Sequence, residues 1–309
     1  MAKNPFIPDD IESPKPPGRL FKYVAADRID VLETFRIRFT PLLGTNDIFE
    51  VRRTFKLLWG PKFISALLFH LKETDLGLEE RAVNLLEQEL GLDSTTAQGL
   101  AVPLLRARLG PDYDRVLSDK IEELIYAISP ILNTPEYVDS LLEKTSSNLL
   151  ICSLTEDPHN AAMWAHYADK GKGFLIEFDS ADEFFVRNPS TGKMRKPIRV
   201  DYFDGVIDEV IEHPAKALCS KRTVWAYEKE WRLYAQAGEE DIQLDTIDGP
   251  IHLFALPVNV VSGIIFGINS SPELVERVQS ALREQGSNAR MRRLEIVDRF
   301  SGRFTEIPL

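Results

Sequence analysis

The chain has 309 residues, 44% hydrophobic and 28% charged, a make-up that fits a soluble globular protein and not a disordered or fibrous one. Its 37 basic and 48 acidic residues leave a formal net charge of −11, which argues against general attraction to nucleic acid or to an anionic membrane surface. Two cysteines, Cys152 and Cys219, with no CxxC pair indicate neither a disulfide framework nor a structural zinc site, and no stretch reads as a signal peptide or bilayer span, so a cytoplasmic protein is expected.

Residues 1–18 are rich in Pro and charge and read as a mobile arm. Residues 19–309 read as a single α+β domain: a mixed or antiparallel sheet core with an inserted α-helical subdomain at 51–145. Leu20 to Val24 forms the first expected strand. "RIDVLETFRIRFT" follows as a helix with Ile29, Leu32 and Phe35 on one stripe, then a strand through Ile37 and Phe39. The block from Val51 has helical period throughout and is divided by Gly60-Pro61, Gly77, Gly91, Gly110-Pro111 and Pro130.

Strand patterns take over after the block, in "NLLICSL", "GFLIEFD", "KPIRVDYF", "EWRLYAQAG", "IHLFALPV", "VVSGIIFG", "RRLEIVD" and "RFTEIPL". Two helices interrupt them. One starts at Pro158 and is capped by Gly171; the other has Ser271 as N-cap, Pro272 in the first turn and Gly286 at its end. The last two strands flank Ser301-Gly302 as a hairpin.

Three stretches could carry chemistry. In "WAYEKEWRLY" a strand would put Glu228, Glu230, Arg232 and Tyr234 on one face. Two carboxylates so placed raise at least one pKa and supply a proton acceptor or charge stabiliser; the same residues also read as a surface ladder of ion pairs. In "MWAHYADKGKG" Met163, His166 and Tyr167 share one side of a helix, where either His166 and Tyr167 meet a ligand, or Trp164 and Tyr167 pack on the sheet and His166 is an ordinary half-buried residue. Asn46 and Asp47 in "GTNDIFE" suit a structural turn, with a catalytic Asp as the minority reading. The basic run "KMRKPIR", Lys193 to Arg199, reads as a solvated loop. Neither GxGxxG, GxxxxGK[ST], HExxH nor GxSxG occurs where a site would need it.

Together these pieces resemble a bacterial and phage family, domain-of-unknown-function 2971. Its pattern runs from a KYR strand through NDPFE, MWxHYA and YExEWR to a late iilG. The matching residues are Lys22-Tyr23, Asn46-Asp47 with Phe49-Glu50, Cys152-Ser153, Met163-Trp164 with His166-Tyr167-Ala168, Gly173, Val200 with Tyr202, Lys221, Trp225, Tyr227-Glu228, Glu230-Trp231-Arg232 and Ile264-Ile265 with Gly267. Val24 stands where the family often has Arg, Ile48 where it has Pro and Gly171 where it often has His.

That layout is similar to ADP-ribosyltransferase-type domains, and the similarity implies an NAD-consuming enzyme, a toxin or phage-defence effector. Glu230 would stabilise oxocarbenium-like charge on the nicotinamide ribose and Glu228 would polarise the acceptor. Lys22 and Tyr23 would meet phosphate and ring, and His166 and Tyr167 would close the pocket; NAD is the implied substrate and no metal is implied. A non-catalytic module binding protein or nucleotide is the alternative. A metal-dependent nuclease using Asp47, Glu228 and Glu230 is a third reading, disfavoured by the net acidity.

Overall fold

The computed structural model describes residues 13–45, 78–132, 134, 136, 140, 148–188, 191–192, 195–205, 219–247, 249–298, 300 and 302–309. The chain divides into two compact units, Met1–Thr54 with Leu142–Leu309, and Phe55–Leu141. Its described helices are α1 Asp30–Glu33, α2 Leu78–Leu90, α3 Ser94–Leu109, α4 Tyr113–Leu132, α5 Ala161–Tyr167 and α6 Pro272–Glu284. The second unit holds α2 to α4. Asp93 caps α3 by accepting from the Thr96 N–H, and α4 runs through Pro130 to Leu132, where the sequence suggested a break.

The first unit is built on strands β1 Arg19–Val24, β2 Arg36–Pro41, β3 Leu149–Thr155, β4 Phe174–Asp179, β5 Ile198–Arg199, β6 Asp201–Tyr202, β7 Ser220–Lys221, β8 Glu230–Gln236, β9 Ile242–Thr246, β10 Gly249–Ala255, β11 Val261–Phe266, β12 Arg290–Asp298 and β13 Arg303–Pro308. Among the described residues eleven strands form one mixed sheet in the order β13-β12-β11-β4-β1-β3-β2-β10-β9, with β8 paired to β3 and β5, while β6 and β7 form a separate parallel pair. Among the described residues only β11 and β12 run parallel within the large sheet. The class is α+β.

Alternation along β1 assigns the two faces. Leu20 and Val24 join Phe39, Phe174, Ile264 and the buried stripe of α6, Leu274, Val278, Ala281 and Leu282, in the larger core. Phe21 and Tyr23 join Leu175, Ile265 and Leu294 beneath α5, through its Met163 and Trp164. Val24 therefore faces the core, so the departure from Arg at that position falls inside packed apolar side chains. Ser271 caps α6 by accepting from Leu274 N–H, and β12 and β13 form the expected hairpin.

Helix α5 is shorter than its sequence signal. It starts at Ala161, with Asn160 as N-cap accepting from the N–H groups of Ala162 and Met163, and the Pro158 carbonyl accepts instead from Trp164 Nε1 at 2.9 Å. Gly173, which leads from α5 into β4, lies so close to β1 that a Cβ there would collide with the Val24 carbonyl oxygen. Gly173→Ala is therefore expected to cost about 1–3 kcal/mol of stability, read as a lowered midpoint in thermal or urea unfolding; an unchanged midpoint would show that β1 and the turn before β4 separate freely.

Candidate active site

The large sheet splits next to β3. That strand pairs with β1 only at Phe21–Thr155, and with β2 only at Thr40–Ile151 and Pro41–Leu150. The middle of this edge, Cys152 to Leu154, lies between its two partners, and Lys22 reaches into the gap to donate to the Ser153 carbonyl at 3.1 Å. A cleft of about 260 Å³ opens there, lined by Lys22, Tyr23, Tyr167, Lys221, Glu228 and Glu230 together with Thr40, Gly44, Thr45, Ser153 and Thr155.

At one end of the cleft stands a buried charge network. Lys221 Nζ donates to Glu228 Oε2 at 2.6 Å and to Glu230 Oε2 at 2.9 Å. Arg232 donates through Nε to Glu230 Oε1 at 2.8 Å and through Nη2 to Oε2 at 3.1 Å. Tyr167 closes the chain, its hydroxyl donating to Glu228 Oε1 at 2.6 Å. Lys221, Glu228, Glu230 and Arg232 are all at most 3% exposed, so the surface-ladder reading of these ion pairs is wrong. Interiors of low polarity make such pairs strong but costly to leave half-made.

The backbone that delivers the two glutamates also differs from expectation. Glu228 is not on β8. It ends a 3₁₀ turn, Thr223–Glu228, and Lys229 follows in the left-handed conformation with φ 43° before β8 starts at Glu230. That reversal aims both carboxylates at one ammonium. Hydroxyl groups pin it: Thr155 Oγ1 donates to the Glu228 carbonyl at 2.6 Å, and the Tyr202 hydroxyl accepts from the Glu230 N–H at 2.8 Å. Asn160 Nδ2 donates to the Tyr227 carbonyl at 3.0 Å and ties the same turn to α5.

Protonation follows the partners. Burial pushes the Glu230 carboxyl up, but Arg232 and Lys221 outweigh it and hold the group well below the usual carboxylate range. Glu230 is thus not a carboxylate whose pKa the pairing of the two acids raises: opposite charges, not the second carboxylate, dominate its surroundings. Burial, and then the bond to Glu228, push the Tyr167 hydroxyl far up, so it remains a donor.

The other candidate residues divide. Tyr23 lines the cleft, but its hydroxyl donates to the Asp157 carbonyl at 2.9 Å and its ring packs edge-on against Trp164 at 5.2 Å. Trp164 is buried on the other side of α5, away from the charge network, beside a second, apolar cavity of about 210 Å³. His166 is exposed and is not among the lining residues; its ring stands 6.4 Å from that of Tyr227. Asn46 and Asp47 lie outside the described residues. In the basic run, Arg195 is not solvated: it is 3% exposed, caged by Phe39, Phe184 and Phe254 with centroids 4.9–5.3 Å from its guanidinium carbon, and burial lowers its pKa to about 10. Thr155, Asn160, Thr40 and Thr45 carried no signal in the sequence, since isolated hydroxyls and amides are common everywhere, while Tyr202 stands at the VxY element of the family pattern.

Tyr167, Lys221, Glu228, Glu230 and Arg232 thus converge from a stretch of the chain that starts at α5 and ends in β8. A family model described as "Protein of unknown function (DUF2971)" matches residues 163–233. This segment is similar to the DUF2971 family. No curated protein and no solved structure matches the chain. The DUF2971 segment supplies the whole charge network, while β1, β2 and β3, outside the match, supply the opposite wall of the cleft. Among the described residues no helix is long and apolar enough to cross a membrane.

Proposed function

We propose that the cleft binds NAD and cleaves its nicotinamide–ribose bond, transferring ADP-ribose to water or to an acceptor. The single observation that carries this reading is the meeting of Lys22, Tyr167, Glu228 and Glu230, remote in sequence, around one concave site. In the reaction the bond between nicotinamide N1 and ribose C1′ breaks with its electron pair leaving on nicotinamide. Positive charge then develops on the ribose ring, and a fixed carboxylate beside it lowers the barrier. The acceptor oxygen or nitrogen attacks C1′ and releases its proton to a carboxylate or to solvent.

The roles of the two glutamates exchange relative to the sequence expectation. Both oxygens of Glu230 are engaged by Arg232, and one also by Lys221, so this residue orients the lysine. Among the described residues Glu228 accepts from the Lys221 ammonium at Oε2 and from the neutral Tyr167 hydroxyl at Oε1, whereas Glu230 is gripped by two cations. Glu228 therefore suits the ribose. A cleft of about 260 Å³ lies just under the usual range for small-molecule sites and suits the nicotinamide half of the dinucleotide.

A second reading, binding of a nucleotide without turnover, is favoured by the complete pairing of Glu230. One experiment separates them. Purified protein incubated with NAD labelled in the nicotinamide ring is expected to release free nicotinamide, detected by chromatography. Saturable NAD binding with no release, with water, protein or nucleic acid as acceptor, would leave the binding reading and remove the enzymatic one.

A further inference from the structure

The cleft has a second polar end, which the chemistry above does not use. Along β3, Thr155 faces Glu230 across one edge, Ser153 comes two residues earlier, and Ile151, paired with Thr40, four residues earlier. At about 3.4 Å per residue these stations lie roughly 7 and 14 Å from the carboxylate end. The first holds the Lys22 ammonium and the Ser153 hydroxyl. The second holds the hydroxyls of Thr40 and Thr45 beside Gly44.

None of these three hydroxyls has a protein partner among the described residues, and Lys22, which donates to the Ser153 carbonyl and meets the Cys152 thiol, keeps one of its three N–H donors. Charge adds to this. Among the described residues Lys221 and Arg232 stand against Glu228 and Glu230, and Lys22 adds a positive charge on the cleft wall in a chain of net charge −11. An ammonium beside hydroxyls that make no protein hydrogen bond among the described residues is suited to phosphoryl oxygens.

We infer that Lys22 and Ser153, followed by Thr40 and Thr45, form a two-station pyrophosphate subsite, which orients the ligand along β3 with its ribose at Glu228 and selects diphosphate esters over monophosphates. The inference rests on the reading of the cleft as a dinucleotide site, but it is tested apart from catalysis. From a ribose at Glu228, a 5′ phosphate falls about one strand repeat away, at Lys22, and the next phosphate falls toward Thr40. Tyr23 has no part in it, since its hydroxyl is committed to Asp157.

The test is calorimetric titration of the full chain with inorganic pyrophosphate, inorganic phosphate and ADP-ribose. Wild type is expected to bind pyrophosphate and ADP-ribose more tightly than phosphate. Lys22→Met should weaken both by about tenfold or more, and Thr40→Val by a few-fold. Thermal melts show whether each variant is folded, and Thr40→Val decides the matter if Lys22→Met is not. Equal binding of phosphate and pyrophosphate, affinity unaltered in the folded variants, or no binding of either diphosphate would overturn the subsite. Lys22-dependent pyrophosphate binding without nicotinamide release would keep the subsite and reject the glycosyl-transfer reading.

Discussion

Arg232→Met should lower the free energy of unfolding by about 3–5 kcal/mol, the usual cost of removing one partner from a buried ion pair. The side chain is fully buried, and its fork holds both oxygens of Glu230. Without it, Glu230 stays buried with Lys221 alone, and Lys221 is shared with Glu228. Methionine fills the volume, so the loss measures the orphaned carboxylate and not a cavity. Urea unfolding at unchanged slope is the measurement, and a loss under about 1 kcal/mol would mean that water reaches Glu230.

The same pair sets a pH dependence. Glu230 has a folded-state pKa depressed below its unfolded value of about 4.3, so its contribution to stability is complete above that value. It is lost as pH falls from there toward the folded pKa, because the unfolded chain takes up the proton first. Wild type should therefore lose stability steadily as the solution is acidified below pH ~4.3, and Arg232→Met should show a shallower loss.

How far the sequence foretold this can be argued residue by residue. The α6 helix was legible because its signals are local: Ser271 and Pro272 at one end, an apolar stripe, Gly286 beyond the other. The alternation in β8 was legible for the same reason. The position of Glu228 was not, since it depends on a left-handed Lys229, and no residue type there announces a positive φ as Gly or Asn would. The burial of Arg195 was equally hidden. Its aromatic cage joins Phe39, Phe184 and Phe254, three segments that meet only once the fold exists. Likewise the hydroxyl of Thr155 finds its acceptor 73 residues away. The motif named residues that the fold brings together, and tertiary contacts decided which partners each one meets.

Glu228→Gln and Glu230→Gln make the sharper functional comparison. Glu228→Gln keeps the shape of the side chain and an oxygen that still accepts from Tyr167, while Lys221 retains Glu230. The fold should persist, yet the negative charge beside the developing ribose cation is gone. A fall of about 10²–10³-fold in kcat is expected, the scale for deleting one preorganised electrostatic group, with the KM for NAD altered little because the ground-state contacts remain. Glu230→Gln removes the carboxylate that two buried cations share, Lys221 and Arg232. It should unfold more readily first and lose activity as a consequence, so chemical denaturation and nicotinamide release must be followed on the same samples. If Glu230→Gln proved stable but inactive while Glu228→Gln kept full turnover, the assignment of the two carboxylates would have to be reversed, with Glu230 acting on the ribose despite its two cations.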